Sequence, residues 1–202
     1  MTSESVVRDA LEEVVAVHRE MLAGSVDVVT EVADLLVNRF RRGGRLYLVG
    51  NGGSAAEAQH IATEFIVRFR REREPLPAVA LTADPAVITA MGNDFDFETI
   101  FSRQVRALAS PDDVLVALST SGASANVLEA VRVASEVGAT TVGFTGNRRG
   151  ELAGLVDVCV EVPSADTQRI QEAHLVLWHI ICDLVDIAFA RSGAVAADEQ
   201  KL

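Results

Sequence analysis

Residues 114–124 read VLVALSTSGAS: five apolar positions, then four hydroxyls and a glycine within six residues. A strand that is apolar at every position has both faces covered, the condition of a parallel sheet held between helices. Outward from it, the same texture recurs as short apolar runs at 46–49, 78–81, 140–144 and 156–162. Amphipathic stretches between these runs predict helices over 53–69, 84–92, 97–108, 123–137 and 166–191, with a short one near 150–155. Strands alternating with helices make the fold class α/β, a five-stranded parallel sheet flanked by helices. Ahead of the first strand, Val6, Val7, Ala10, Leu11, Val14, Val15, Val17 and Met21 recur at helical spacing. Gly24-Ser25 interrupts them, and a second helical pattern over 26–40 stops at Gly43-Gly44, which predicts an N-terminal helical arm. With no repeat or Pro-rich linker between the parts, residues 1–202 are expected to form one domain: arm 1–43, core 44–192, tail 193–202.

The chain has 202 residues, 18 basic against 29 acidic, for a net charge of −11. That balance argues against nucleic acid and anionic membrane as partners, because phosphate-backbone binding needs an extended basic footprint. A small anion can still be held locally by backbone N–H groups and hydroxyls. Seventeen of the basic residues are Arg, and the single Lys, Lys201, lies in a polar tail. Schiff-base aldolases, pyridoxal-phosphate enzymes and P-loop NTPases each need a Lys inside the site, so these chemistries are set aside. Cys159 and Cys182 form no metal-type or CxxC spacing. The N-terminus MTSESVVRDALEEV has no apolar signal core, and His179, Asp183 and Asp186 break the most apolar stretch. A cytoplasmic protein without a membrane span is therefore expected.

Ligands of open parallel sheets bind outside the carboxyl ends of the strands, and three polar segments fall there. The first is Gly50-Asn51-Gly52-Gly53-Ser54, where paired glycines let the backbone approach a ligand and the following helix offers free N–H groups. Alone, it reads equally well as a tight turn. The second is Ser119-Thr120-Ser121-Gly122-Ala123-Ser124. Helix capping would use one hydroxyl; four make a compact cradle that suits a phosphoryl group. The third, Gly92-Asn93-Asp94-Phe95, suits sugar hydroxyls or a turn, and spacing does not separate the two.

The ionisable candidates come from two helices. His60 and Glu64, four apart, share one helix face, with Arg68 four residues further along it. A His/carboxylate pair at this spacing suits a divalent metal or acid–base work, and it is also a common surface arrangement. On the last helix stand Gln171, His174 and His179. His179, within LVLWHII, is expected to be nearly buried, and a lone His on an apolar face is more often a satisfied core residue than a ligand. Gln171 and His179 are separated by a rise of roughly 12 Å. They reach a shared point only by leaning toward it; otherwise the ligands come from different subunits.

The segments VGNGGSAAEAQHIATEF, GNDFDFETIFSRQV, ALSTSGASANVLEAV and DTQRIQEAHLVLWHIICDLVD resemble, in order and spacing, the phosphoheptose (sedoheptulose 7-phosphate) isomerase family of SIS sugar-phosphate proteins. STSG alone marks only the SIS superfamily; NGGS, HxxxE, GNDF and RIQExH together are far more specific. The resemblance runs over nearly the whole chain. It implies a homotetramer with sites at subunit interfaces, and isomerisation of sedoheptulose 7-phosphate to glycero-manno-heptose 7-phosphate for nucleotide-activated heptose synthesis. It further implies phosphate binding by Ser119, Thr120, Ser121 and Ser124, and a sugar site lined by Asn51, Gly52, Gly53, Asn93 and Asp94, with Ser54 beside them. His60, Glu64, Gln171 and His179 match positions that bind zinc in metal-loaded members, and Gln171 counts also as a substrate contact. An aldose–ketose shift needs a group to move a carbon-bound proton and another to move an oxygen-bound one, and Glu64 and His179 are the expected catalytic pair. Arg68 is the basic residue expected near the substrate.

The chain departs from the family pattern in two places. TGNRRGELAG carries Arg148-Arg149 where a glycine pair is more usual, which touches loop closure and substrate choice, and Asp96 stands where Gly is frequent. Three rival readings share the fold. A non-catalytic SIS protein that binds a replication initiator tends to lack the His/Glu pair present here. A sugar-phosphate sensing module needs a DNA-binding domain, for which the first forty residues are too short and apolar. Aminosugar-phosphate isomerases rely on a lysine that this chain does not place.

Overall fold

The computed structural model describes residues 2–148 and 150–190. Its elements follow in the order α1 Ser3–Gly24, α2 Val26–Arg41, β1 Leu46–Gly50, α3 Gly53–Ile66, β2 Ala78–Ala80, α4 Pro85–Asp94, α5 Ser102–Leu108, β3 Val114–Leu118, α6 Ala125–Glu136, β4 Thr140–Gly146, α7 Leu152–Leu155, β5 Val158–Val162 and α8 Thr167–Phe189. All five strands are parallel, in the order β2-β1-β3-β4-β5. The expected sheet is therefore present.

Side chains of successive strand residues point to opposite faces, so a strand covered on both sides divides its apolar residues between two cores. Leu46, Leu48, Val114, Val116, Leu118, Val142 and Phe144 pack on one face with residues of α1, α2, α3 and α8. Tyr47, Val49, Leu115 and Ala117 pack on the other with residues of α5, α6 and α7. β1 and β3 are buried at every position, whereas Val79 of the short edge strand β2 is exposed. The arm contributes Val17, Met21, Val29, Val32 and Leu36 to the first core, so it packs as a layer of the molecule.

Local chemistry sets the helix ends. Thr2 and Ser5 close a capping box on α1. Asp84 accepts from the N–H groups of Ala86 and Val87 with Pro85 in the first turn of α4, and Asp166 accepts from those of Gln168 and Arg169 at the start of α8. Three expectations are corrected. The helix expected over 53–69 ends at Ile66, because Val67 leaves helical geometry at φ −88°, ψ −80°. The helix expected over 97–108 is a 3₁₀ turn at Phe97–Thr99 followed by α5. The last strand begins at Val158 rather than at 156. The tail at 193–202 lies outside the described residues.

Candidate active site

From β1 the chain passes to β2 on one side of the sheet, and later to β3 on the other. Such a reversal opens a crevice at the carboxyl ends of the two central strands, where the loops leave toward opposite faces. The ends of β1 and β3 are in register, Gly50 opposite Leu118, so the two loops that follow stand side by side. Both of the leading sequence candidates, 50–54 and 119–124, emerge at this crevice.

An amide pair ties these loops together. Asn51 Nδ2 donates to Asn126 Oδ1 at 2.8 Å, and Asn126 Nδ2 returns the bond to Asn51 Oδ1 at 2.9 Å. The sequence reading had no place for Asn126. Asn126 stands in the first turn of α6 and is 3% exposed, and a buried amide must find a partner.

In the second loop Gly122 takes φ +64°, and a Cβ there would stand 2.9 Å from Thr145 Oγ1 and 3.0 Å from the Gly150 backbone. Both facts require glycine. Ser124 occupies the capping position of α6 yet makes no side-chain cap bond; its hydroxyl lies 3.2 Å from that of Ser119. Ser121 Oγ accepts from the Ala123 N–H. Capping thus does not account for these hydroxyls. Thr120 is half-buried and Ser121 exposed, on the rim of the crevice.

In the first loop Gly52, at φ +57°, opens α3. Gly53 lies against the Gln171 amide so closely that a Cβ would be 2.6 Å from its Nε2. Ser54 is buried, and its backbone packs under Gly50. Asn93 and Asp94 are exposed at the end of α4 and hydrogen-bond to each other at 2.7 Å.

α3 and α8 run side by side in the same direction, and their facing residues form a ladder. Gly53 meets Gln171, Glu57 faces His174, and His60 meets His179. The Nε2 atoms of His60 and His179 are 3.0 Å apart, and His60 Nε2 is 3.7 Å from Glu64 Oε1. Phe69 stacks on the His179 ring at 5.3 Å. His179 is half-buried, contrary to the expectation of near burial, because it lies on the α3 side of α8 rather than toward the sheet. Gln171 and His179 meet α3 at separate points, so one chain does not bring them to a shared point. Arg68 is exposed, two residues beyond the end of α3, so it does not continue the His60/Glu64 face as expected.

His174 is fully buried. Its Nδ1 stands 3.9 Å from Oε1 of the buried Glu57, beyond hydrogen-bond reach. Burial pushes the Glu57 carboxyl up to about 8 and the His174 imidazole down to about 4, the latter partly opposed by the Thr145 backbone. Both therefore favour the neutral form near pH 7. Glu57 was missed from sequence because an acid on the core face of a helix looks like any acid in an amphipathic stretch.

The nitrogen and oxygen donors of His60, His179, Glu64 and Gln171 suit zinc chemically, and two imidazole Nε2 atoms already face each other. Among the described residues, no three His, Cys, Asp or Glu side chains are grouped to hold a metal ion. No described helix is long and apolar enough to cross a membrane.

The family profile described as SIS domain matches residues 11–146. The phosphoheptose isomerase of Burkholderia pseudomallei is 52% identical over 182 residues, covering 89% of this chain and 92% of its own. That of a Roseiflexus species is 49% identical over 180 residues, covering 89% and 91%. Among solved structures, the phosphoheptose isomerase of Neisseria gonorrhoeae superposes with a TM-score of 0.87 at 40% identity, over 92% of this chain and all of that one. The enzyme of Francisella tularensis gives 0.90 at 36%, over 93% and 100%.

Proposed function

This chain belongs to the phosphoheptose isomerase family of SIS-domain proteins, and from that premise we propose how its residues interconvert sedoheptulose 7-phosphate and D-glycero-D-manno-heptose 7-phosphate. The reaction moves a carbonyl between C2 and C1 through an enediolate. The observation that carries the reading is the cluster of Glu64, His60 and His179, with separations of 3.7 and 3.0 Å, built on the helix that leaves the β1 end of the crevice.

The phosphate is held by the hydroxyls of Ser119, Thr120, Ser121 and Ser124 and by the first N–H groups of α6, which is how an anion is accommodated without lysine. Asn51, Gly52, Gly53, Ser54 and Gln171 lie along the sugar, with Asn93, Asp94 and Arg68 completing its surroundings. Glu64, as carboxylate, takes the proton from C1 of the ketose, and the electron pair left on carbon forms the enediolate. The same carboxyl returns a proton to C2. His179 moves the hydroxyl proton from O1 to O2, so that the carbonyl ends at C1. Stacking by Phe69 limits how the His179 ring turns.

His60, Glu64, Gln171 and His179 would hold a zinc ion, which when bound supplies Lewis-acid stabilisation of the developing oxyanion. A homotetramer with shared sites fits two observations. Val176, Ile180, Leu184 and Ile187 form an exposed apolar stripe on α8, and Gln171 and His179 meet α3 at different points. We further take residues 1–202 as one domain in a reducing cytoplasm, where the free thiols of Cys159 and Cys182 are at home.

The test is turnover of sedoheptulose 7-phosphate by the full chain and by Glu64→Gln. The native chain should be active and the folded variant should lose at least about 10²-fold in kcat. A folded Glu64→Gln protein with near-native turnover overturns the assignment.

A further inference from the structure

Between α3 and β2 the chain doubles back through residues 67–77, and one side chain there reaches further than its neighbours. The guanidinium of Arg73 is 1% exposed and pairs through Nε with Asp186 Oδ1 at 2.6 Å; Asp186 is fully buried. Both Nη atoms donate to backbone carbonyls: Nη2 to Glu64 at 2.7 Å, and Nη1 to Phe65 at 2.8 Å and Glu74 at 3.1 Å. Glu64 and Phe65 stand in the last turn of α3, where helix carbonyls lack intrahelical partners. Arg73 therefore caps the turn that carries Glu64.

Asp186 has a second task. Its Oδ2 accepts the backbone N–H groups of Arg70 at 2.7 Å and Arg71 at 2.9 Å, while the Arg71 side chain pairs with Asp183. The 70–73 backbone is thus pinned to α8. Phe69, immediately before it, is the ring stacked on His179. His179, Asp183 and Asp186 are spaced by four and three residues, so they lie on one face of α8.

We propose that Arg73 and Asp186 are positioning residues for isomerisation: through the Glu64 carbonyl and the Phe69 ring they hold Glu64 and His179 in working register. This rests on the reading of Glu64 and His179 as the catalytic pair. A buried ion pair is poor evidence of a stabilising role, since its desolvation offsets much of its attraction. What this one adds is order at a helix end, where fraying would otherwise move the carboxylate. Misplacement of a reacting group by about 1 Å can cost about 100-fold in rate.

The experiment compares Arg73→Lys, Asp186→Asn, Ile181→Val and Glu64→Gln in the full chain, with kcat and KM for sedoheptulose 7-phosphate normalised to folded protein. Lysine keeps the charge opposite Asp186 but has no planar fork to hold the carbonyls of Glu64 and Phe65 together. Arg73→Lys and Asp186→Asn should lose about 10- to 100-fold in kcat with KM within about threefold. Ile181→Val, a buried change on α8 outside the clamp, should lower the melting temperature and leave kcat intact. In the unmodified protein, the Val67 amide, bonded to the Thr63 carbonyl at the end of α3, should exchange hydrogen as slowly as the helix interior. Native kcat in folded Arg73→Lys, an equal loss in Ile181→Val, or fast exchange at Val67 overturns the proposal. A fully active Glu64→Gln instead sinks the functional reading beneath it, and the two failures are distinguishable.

Discussion

The hydroxyl turn at 119–124 and the His/Glu cluster on α3 and α8 are built by opposite means. The turn is local: six consecutive residues leave one strand and enter one helix, and the glycine that shapes it sits among the hydroxyls it presents. The cluster is assembled from residues 119 positions apart, His60 and His179, which meet only because two helices pack on the same face of the sheet. A local site depends on its own turn chemistry. A remote one depends on helix register, and any device that fixes that register acts on it.

The comparison predicts different kinetic signatures for the two regions. The largest effect belongs to the cluster: His179→Gln should lower kcat by about 10²- to 10⁴-fold with little change in KM, read by steady-state turnover. A pure rise in KM would place His179 in binding and blur the contrast. In the turn, Ser119→Ala with Ser124→Ala should do the reverse. Each lost hydroxyl contact to a charged phosphate is worth about 1.5–3 kcal/mol, so KM should rise at least about 10-fold and kcat should change less. Smaller still, Gly53→Ala should reduce kcat several-fold with little loss of stability, because its methyl group displaces only the flexible end of Gln171. Unchanged kinetics there would show that the position of the Gln171 amide is immaterial.

The smallest effect concerns the buried pair between the helices. Between about 4.5 and 8 the folded chain keeps a proton on Glu57 that the unfolded chain has released, so stability falls as pH rises through that window. Between about 4 and 6.5 the unfolded chain holds a proton that buried His174 lacks, so stability rises there. The two contributions oppose each other up to about 6.5, leaving a net fall from there to about 8. Glu57→Gln should remove that fall, measured by urea unfolding at several pH values. A persisting slope would show that Glu57 is not its source.

The same division explains what the sequence made legible. VLVAL and LYLV declare a two-sided sheet because every position is apolar, and the hydroxyl turn declares itself because four hydroxyls exceed what a cap uses. Arg68 does not share the Glu64 face as its spacing suggests, because i, i+4 spacing implies a shared face only while the helix continues, and α3 stops at Ile66. The sequence gives no strong stop there, and the carbonyls of the last turn are taken by the Arg73 side chain, which returns from outside the helix. His179 was expected inside because its neighbours are apolar, yet three of them, Val176, Ile180 and Leu184, are themselves exposed on α8. Asn126 and Glu57 were passed over because the residues they face, Asn51 and His174, lie 75 and 117 residues away.

The central claim is that Glu64 moves the carbon-bound proton. Sedoheptulose 7-phosphate incubated in deuterated water with native protein should gain deuterium at the carbons next to the carbonyl, followed by NMR. With folded Glu64→Gln that still binds the substrate, incorporation should fall at least about 10²-fold. Incorporation at the native rate by that variant would contradict the account.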